Sequence, residues 1–291
     1  MKDLTLSIAQ MSPVFLDIRE NTCRMTGFME QAAIDGSDLL LFPEMALTGY
    51  GIGDTIRNPD VRRMLEGEAR RSLAEIRKAS RRLNLDVLVS YPLFSGGKTY
   101  IAAEYISNGK KAALHRKINL CNYAHYTEHL HFTEGFSPTV VTAERGTFGI
   151  LVCEDSWHAM NGIVETLLGA EILVVPSAPS VLERPLGKES MSRWEAITKS
   201  TAFLQTCYVV VGALAGTEGN CHFLGGSHVV SPEGEFLCRL PLFEEALAQV
   251  RLEAALLEKA REMRPLLRNE RIGIYRKIFA EMGKKSGRTG K

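Results

Sequence analysis

Apolar and polar positions alternate from Leu4 to Gln10, the two-residue period of a half-buried strand. Helical spacing follows over 19–34, and the run Leu39-Leu40-Leu41-Phe42 then reads as a buried strand that Pro43 stops. Between 59 and 83, Leu65, Ala69, Leu73, Ile76 and Leu83 recur at roughly helical intervals, while arginines and glutamates fill much of the rest, which predicts an amphipathic helix. A strand at 86–90 leads into two alternating runs, 99–106 and 112–115, joined by Ser107-Asn108-Gly109-Lys110. Asn-Gly between such runs signals a hairpin. After an irregular loop come a strand at 148–152, a helix beginning near Ser156, and a strand at 171–175 that Pro176 is expected to end. A helix at 189–205, a strand at 208–211 and a hairpin from 226–230 to 235–239 complete the series.

The order helix, buried strand, hairpin thus occurs twice, at 60–115 and at 189–239. That repetition predicts an α/β protein of two similar halves, with strands packed as two sheets and helices outside. The tail over 252–282, broken at Pro265, is expected to be helical in part, and its end at 284–291 to fray.

Composition narrows the class of protein. Lys plus Arg number 35 and Asp plus Glu 34 among 291 residues, a formal charge of +1, and 45% of positions are apolar. This excludes a disordered chain and a strongly basic nucleic-acid binder. The arginines of 62–82 are interleaved with Glu66, Glu68 and Glu75, so they predict a solvated helix face. No apolar stretch reaches the 18 or so residues a membrane span needs, the longest being 207–215. The N-terminal strand pattern lacks the apolar block of a signal peptide, so a cytoplasmic location is expected. The six cysteines, without CxxC spacing, suit free thiols in a reducing compartment.

Three sharp motifs compete for the chemistry. Ser95-Gly96-Gly97-Lys98-Thr99 hints at a phosphate loop, but Pro92 stands where its first glycine belongs and a strand follows where a helix is needed. Gly225-Gly226-Ser227-His228-Val229 lacks the last glycine of a nucleophile elbow. His125-Tyr126-Thr127-Glu128-His129 matches the H-x-x-E-H of inverted zinc peptidases, with Cys121 and His131 nearby, and leaves a zinc metallopeptidase as an alternative of a different class.

Cys153 carries the stronger reading. It ends the apolar run Gly149-Ile150-Leu151-Val152, so a buried strand delivers a thiol into a strand-to-helix turn, the place where ligands of α/β proteins gather. A helix N-terminus and a nearby lysine are expected to raise its thiolate fraction. Glu44 sits just past another apolar strand in Leu41-Phe42-Pro43-Glu44-Met45-Ala46-Leu47-Thr48-Gly49-Tyr50, and Lys117 follows a hairpin strand in His115-Arg116-Lys117-Ile118-Asn119-Leu120. These pieces in this order, with Phe223-Leu224-Gly225-Gly226-Ser227 and Pro232-Glu233-Gly234 later, resemble the nitrilase or carbon–nitrogen hydrolase superfamily over roughly residues 4–252.

The resemblance implies a four-layer αββα sandwich, a Glu44-Lys117-Cys153 triad, and an oxyanion site made by the Glu154 backbone N–H with Lys117. Glu128 is similar in position to the family's second glutamate, although Leu130 replaces the usual arginine and Cys121 a frequent proline. Tyr50, Tyr123, Trp157 and Ser177 are candidate substrate contacts. The hydrolase domain is expected over 1–252, with 253–291 a tail that helps to form a homodimer or higher homo-oligomer. No metal or cofactor is implied. Cys153-Glu154-Asp155-Ser156-Trp157 is similar to the form found in glutamine-hydrolysing domains of NAD synthetases, which favours a primary amide over an N-carbamoyl amine or a nitrile. Without the synthetases' S-G-G-x-D-S loop, ammonia channelling within this chain is not expected. A catalytically silent interaction module is the remaining alternative.

Overall fold

The computed structural model describes residues 1–286. Its first half runs β1 (Leu4–Gln10), α1 (Ile18–Ile34), β2 (Leu39–Leu41), α2 (Pro59–Leu83), β3 (Asp86–Ser95), β4 (Lys98–Ser107) and β5 (Lys110–Arg116). The second runs β6 (Val140–Thr142), β7 (Thr147–Ile150), α3 (Ala159–Leu167), β8 (Ile172–Ser177), β9 (Ser180–Val181), α4 (Gly187–Gln205), β10 (Tyr208–Ala213), β11 (Ala215–Glu218), β12 (Cys221–Leu224), β13 (His228–Val230) and β14 (Phe236–Arg239). After β15 (Ala246–Leu252) the tail forms α5 (Ala254–Met263), α6 (Leu266–Asn269) and α7 (Ile272–Ser286). The fraying expected at the end of the tail concerns mostly residues outside the described ones.

Local chemistry explains the helix ends. Asn58 caps α2 by accepting from the Asp60 and Val61 amides, Pro59 occupies a first-turn position that needs no N–H, and Asn84 closes the helix in the left-handed region. Asp17 caps α1 by accepting from Glu20 N at 3.0 Å.

Two six-stranded sheets result, ordered β15-β1-β2-β3-β4-β5 and β14-β13-β10-β8-β7-β6. Each has three central parallel strands, one antiparallel strand beside the first of them and an antiparallel pair beside the third. The two halves therefore repeat one topology. Their inner faces meet through apolar side chains: Tyr105 packs on Phe148 with ring centroids 5.2 Å apart. A Cβ on Gly212 of β10 would lie 2.9 Å from Leu41 of β2, so glycine lets the sheets close there. Helices α1 and α2 pack together on one side and α3 and α4 on the other, giving the four-layer αββα sandwich.

Several local expectations need correction. Pro176 does not end its strand; β8 continues to Ser177, with Pro176 opposite Gly212. Leu151 N donates to Val174 O, so Pro176, of the same parity, faces the side that β7 has left after Ile150, and its missing N–H breaks no ladder. The helix expected near Ser156 begins at Ala159, after a 3-10 segment from Cys153 to Trp157. Neither β15 nor the small sheet β11-β12-β9 shows in the periodicity, since two to four residues hold too few alternations and β15 mixes its faces. No helix among the described residues is long and apolar enough to cross a membrane.

Candidate active site

The twin topology brings three loops together. Glu44 lies three residues past β2, Lys117 immediately after β5, and Cys153 three past β7. All three are buried, Glu44 and Lys117 completely and Cys153 at 9% exposure. Lys117 Nζ donates to Glu44 Oε1 at 2.8 Å and to Glu128 Oε1 at 2.7 Å. Glu128 Oε2 accepts from Cys121 N at 2.8 Å, and the Tyr50 hydroxyl donates to Glu128 Oε1. Glu44 Oε2 has no hydrogen-bond partner among the described residues.

The backbone is held in unusual shape on both sides of this cluster. Cys153 has φ +48° and Met45, next to Glu44, has φ +54°, the left-handed region that costs a non-glycine residue about 1–2 kcal/mol. Side-chain acceptors brace the backbone beside them: Met45 N donates to Ser90 Oγ at 3.1 Å across the fold, and Val152 N to Asp155 Oδ2 at 3.0 Å within the turn. Such strain places a side chain where regular structure would not.

Burial sets the electrostatics. It pushes Glu44 up to about 7, helped by the charge of Glu128 and opposed by Lys117. Burial also works against the charge on Lys117, yet Glu128 and Glu44 outweigh it and hold the ammonium well above its ordinary range. The Cys153 thiol is driven well above its ordinary value, by burial first and the Glu44 charge second, against the pull of Lys117 and the Ala178 N–H. Here the sequence expectation fails. Cys153 opens a short 3-10 segment rather than an α-helix, so helix-end stabilisation is small and burial favours the neutral thiol. A neutral thiol beside a carboxylate with a free oxygen is a pair waiting to exchange one proton.

A cavity of about 480 Å³ opens onto Cys153. Its walls include Tyr123, Tyr126, Glu154, Trp157, Ser180 and Trp194. Trp157 stands edge-on to Trp194 at 5.5 Å, and the Tyr123 hydroxyl donates to Glu154 Oε2 at 2.9 Å. Of the candidate substrate contacts, Tyr123 and Trp157 are among the lining residues and Tyr50 and Ser177 are not. Tyr50 instead braces Glu128, and its amide and that of Gly51 donate to Glu218. Ser177 lies beneath the site, its carbonyl accepting from Glu44 N at 3.4 Å and its hydroxyl donating to Val175 O. Leu130 is exposed and is not among the lining residues, whereas Cys121 is. Tyr126 and Ser180, which hydrogen-bond one another at 2.9 Å, escaped the sequence reading; only the proximity of Tyr126 to Glu128 pointed to them.

The H-x-x-E-H residues do not converge. His125 Nε2 pairs with Ser180 Oγ at 2.8 Å, His129 Nδ1 with Asn122 Oδ1 at 2.7 Å, and Glu128 turns inward to Lys117. Only residues 128–130 form a helical turn, of the 3-10 type, so the two imidazoles never share a helix face. The sequence alternative of a zinc site loses its geometric basis.

Known proteins resemble this chain in sequence and in fold. The carbon-nitrogen hydrolase family model matches residues 5–262. The glutamine-dependent NAD(+) synthetase of Thermotoga maritima is 28% identical over 256 residues, 87% of this chain and 42% of that protein. The chloroplastic omega-amidase of Arabidopsis thaliana is 28% identical over 280 residues, 94% of this chain and 74% of its own. This chain spans less than half the length of the NAD synthetases it matches. Among solved structures, a carbon-nitrogen hydrolase from Helicobacter pylori G27 superimposes with a TM-score of 0.86 at 22% identity, covering 95% of this chain and 98% of that one.

Proposed function

The chain belongs to the carbon–nitrogen hydrolase family, and from that premise we propose that it hydrolyses a primary amide with release of ammonia, through a thioester on Cys153. The observation that carries the reading is the unpartnered Glu44 Oε2 in a fully buried carboxylate next to a protonated, cavity-facing thiol. Glu44 takes the thiol proton as Sγ bonds to the amide carbon. The carbonyl oxygen gains the charge, which Lys117 Nζ and the Glu154 N–H stabilise. When the tetrahedral species collapses, the C–N bond breaks and ammonia departs with the proton Glu44 had taken. Water then attacks the thioester, Glu44 takes its proton and returns it to sulfur, and a carboxylic acid leaves.

The pKa of Glu44 suits both roles. A carboxyl near 7 is ionised often enough to act as base and acidic enough to act as donor at neutral pH. Glu128 touches no reacting atom in this scheme; with Tyr50 it holds the Lys117 ammonium in place. Preference for an amide over an N-carbamoyl amine or a nitrile rests on the C-E-D-x-W form around Cys153 and on the relatives named for glutamine-dependent and amidase activity. Assembly as a homodimer through the tail from 253 onward belongs to the same proposal.

The test is ammonia release over a panel of amides, glutamine included, N-carbamoyl amines and nitriles, for wild type and Cys153→Ala. Release from an amide that the variant abolishes supports the reading. Turnover of nitriles or N-carbamoyl compounds alone moves the enzyme to a sister activity. No turnover anywhere favours the silent module, and activity lost to a chelator but kept by Cys153→Ala favours the metallopeptidase.

A further inference from the structure

Lys117 and Cys153 come from different sheets. Lys117 follows β5, the edge strand of one, and Cys153 follows β7 in the other, so no strand ladder fixes their separation. Yet the proposed chemistry needs the ammonium, the thiol and the Glu154 amide to meet at one carbonyl, where a displacement of about 1 Å can cost on the order of 100-fold in rate.

The Asp155 carboxylate spans that gap. It is completely buried. Oδ1 accepts from the amides of Ile118 at 3.0 Å and Asn119 at 2.7 Å, the two residues after Lys117. Oδ2 accepts from the amide of Val152, the residue before Cys153, at 3.0 Å, and lies 3.0 Å from His115 Nε2. Four donors fill the roughly four lone-pair sites of a carboxylate, which fixes it in both rotation and position. With Asp155 as acceptor, His115 Nε2 carries the hydrogen, and in the neutral ring Nδ1 accepts from Thr139 Oγ1 at 3.0 Å. Asn161 adds a second strut: its Nδ2 donates to Asn119 Oδ1 at 2.7 Å and to Asp155 O at 3.0 Å.

We propose that Asp155 is a positioning residue, a single carboxylate that locks the Lys117 segment to the Cys153 turn, with His115 and Thr139 holding the carboxylate in register. It touches no reacting atom and acts through the two backbones it joins. The inference rests on the proposed roles of Lys117 and Cys153, so its test has one arm that needs no substrate.

Asp155→Asn keeps the shape and one acceptor oxygen, but turns an N–H₂ toward Val152 N–H or toward the Ile118 and Asn119 amides. The expected result is a loss of about 100-fold in kcat per folded active site, with KM within about threefold of wild type. Without substrate, alkylation of Cys153 by iodoacetamide, followed by peptide mass spectrometry, is expected to slow at least about threefold. Glu104→Gln is the control for general loosening: Glu104 is buried and ion-paired with Arg77, outside the site, and its loss is expected to lower Tm while leaving kcat unchanged. Should Asp155→Asn fail to fold, Thr139→Val removes the partner of His115 Nδ1 and is expected to lower kcat between about 2- and 10-fold at constant KM. The proposal is overturned if Asp155→Asn, or Thr139→Val in its place, keeps both kcat and the alkylation rate of wild type. An equal fall in kcat for Glu104→Gln also overturns it. If wild type turns over nothing in the panel, the proposed activity fails, and the alkylation arm still decides the role of Asp155.

Discussion

Glu104 and Glu44 are both buried carboxylates that face a cation, and they differ in whether every oxygen is satisfied. Glu104 is bound by Arg77 through paired bonds of 2.8 Å from Nε and Nη2, and its Oε2 also accepts from the Tyr91 hydroxyl at 2.9 Å. Both oxygens are satisfied. Glu44 shares Lys117 with Glu128, keeps Oε2 without a hydrogen-bond partner among the described residues and lies beside the Cys153 thiol. A buried acid paired with a cation gives a structural clamp in one place and a candidate proton carrier in the other, and the nearby tyrosine hydroxyl bonds Glu104 itself in the first and Glu128 rather than Glu44 in the second. A satisfied network rigidifies; a network with one open acceptor beside a titratable group stays able to move a proton.

Breaking the comparison at the thiol has the largest expected effect. Cys153→Ala removes the group on which the open acceptor works, and ammonia release is expected to fall by about 10⁴-fold or more, measured by a coupled ammonia assay. Matched carboxylate substitutions come next. Glu44→Gln is expected to lower kcat by about 10²- to 10⁴-fold. Glu104→Gln should leave kcat unchanged and lower stability by about 1–3 kcal/mol in urea unfolding. Equal losses of activity in the two would mean that the free oxygen of Glu44 has no special role.

Titration sharpens the contrast further. Glu44 must be ionised to accept the thiol proton, and burial lifts it to about 7. Lowering the pH through 7 therefore removes the active form, and kcat/KM is expected to fall about tenfold per unit below that point and to level off above it. A profile flat from pH 5 to 8 would contradict this. The matched tyrosines give the smallest effect. Tyr50→Phe takes a donor from Glu128 and is expected to lower kcat by about 3- to 10-fold, whereas Tyr91→Phe should cost about 1 kcal/mol of stability and no activity.

Much of this was legible in the sequence. The run Leu39-Leu40-Leu41-Phe42 reads as a strand buried on both faces because it is short and Pro43 bounds it, and the residues just past it and past 148–152 stand where ligands of α/β proteins gather, while their roles come from the family resemblance. The H-x-x-E-H pattern misled because five residues do not say which way Glu128 points; a buried lysine eleven residues away decides it. Tyr50 counts among the candidate substrate contacts in the sequence, since a tyrosine hydroxyl bonded to a carboxylate 78 residues distant leaves no local trace. Asp155 passed as part of a motif for the same reason: three of its partners are backbone amides, which every sequence has, and the fourth is a histidine 40 residues away. The thiolate expectation failed because burial, a property of the whole fold, outweighs the short turn that follows Cys153.

The central claim is that the sulfur of Cys153 becomes acylated. Wild-type enzyme turning over an amide, quenched in acid during steady state and digested, should yield the Cys153 peptide heavier by the acyl group, in an amount that decays once substrate is exhausted. Ammonia release without any covalent mass on that peptide, or with the mass on Cys121 of the same cavity instead, would contradict it.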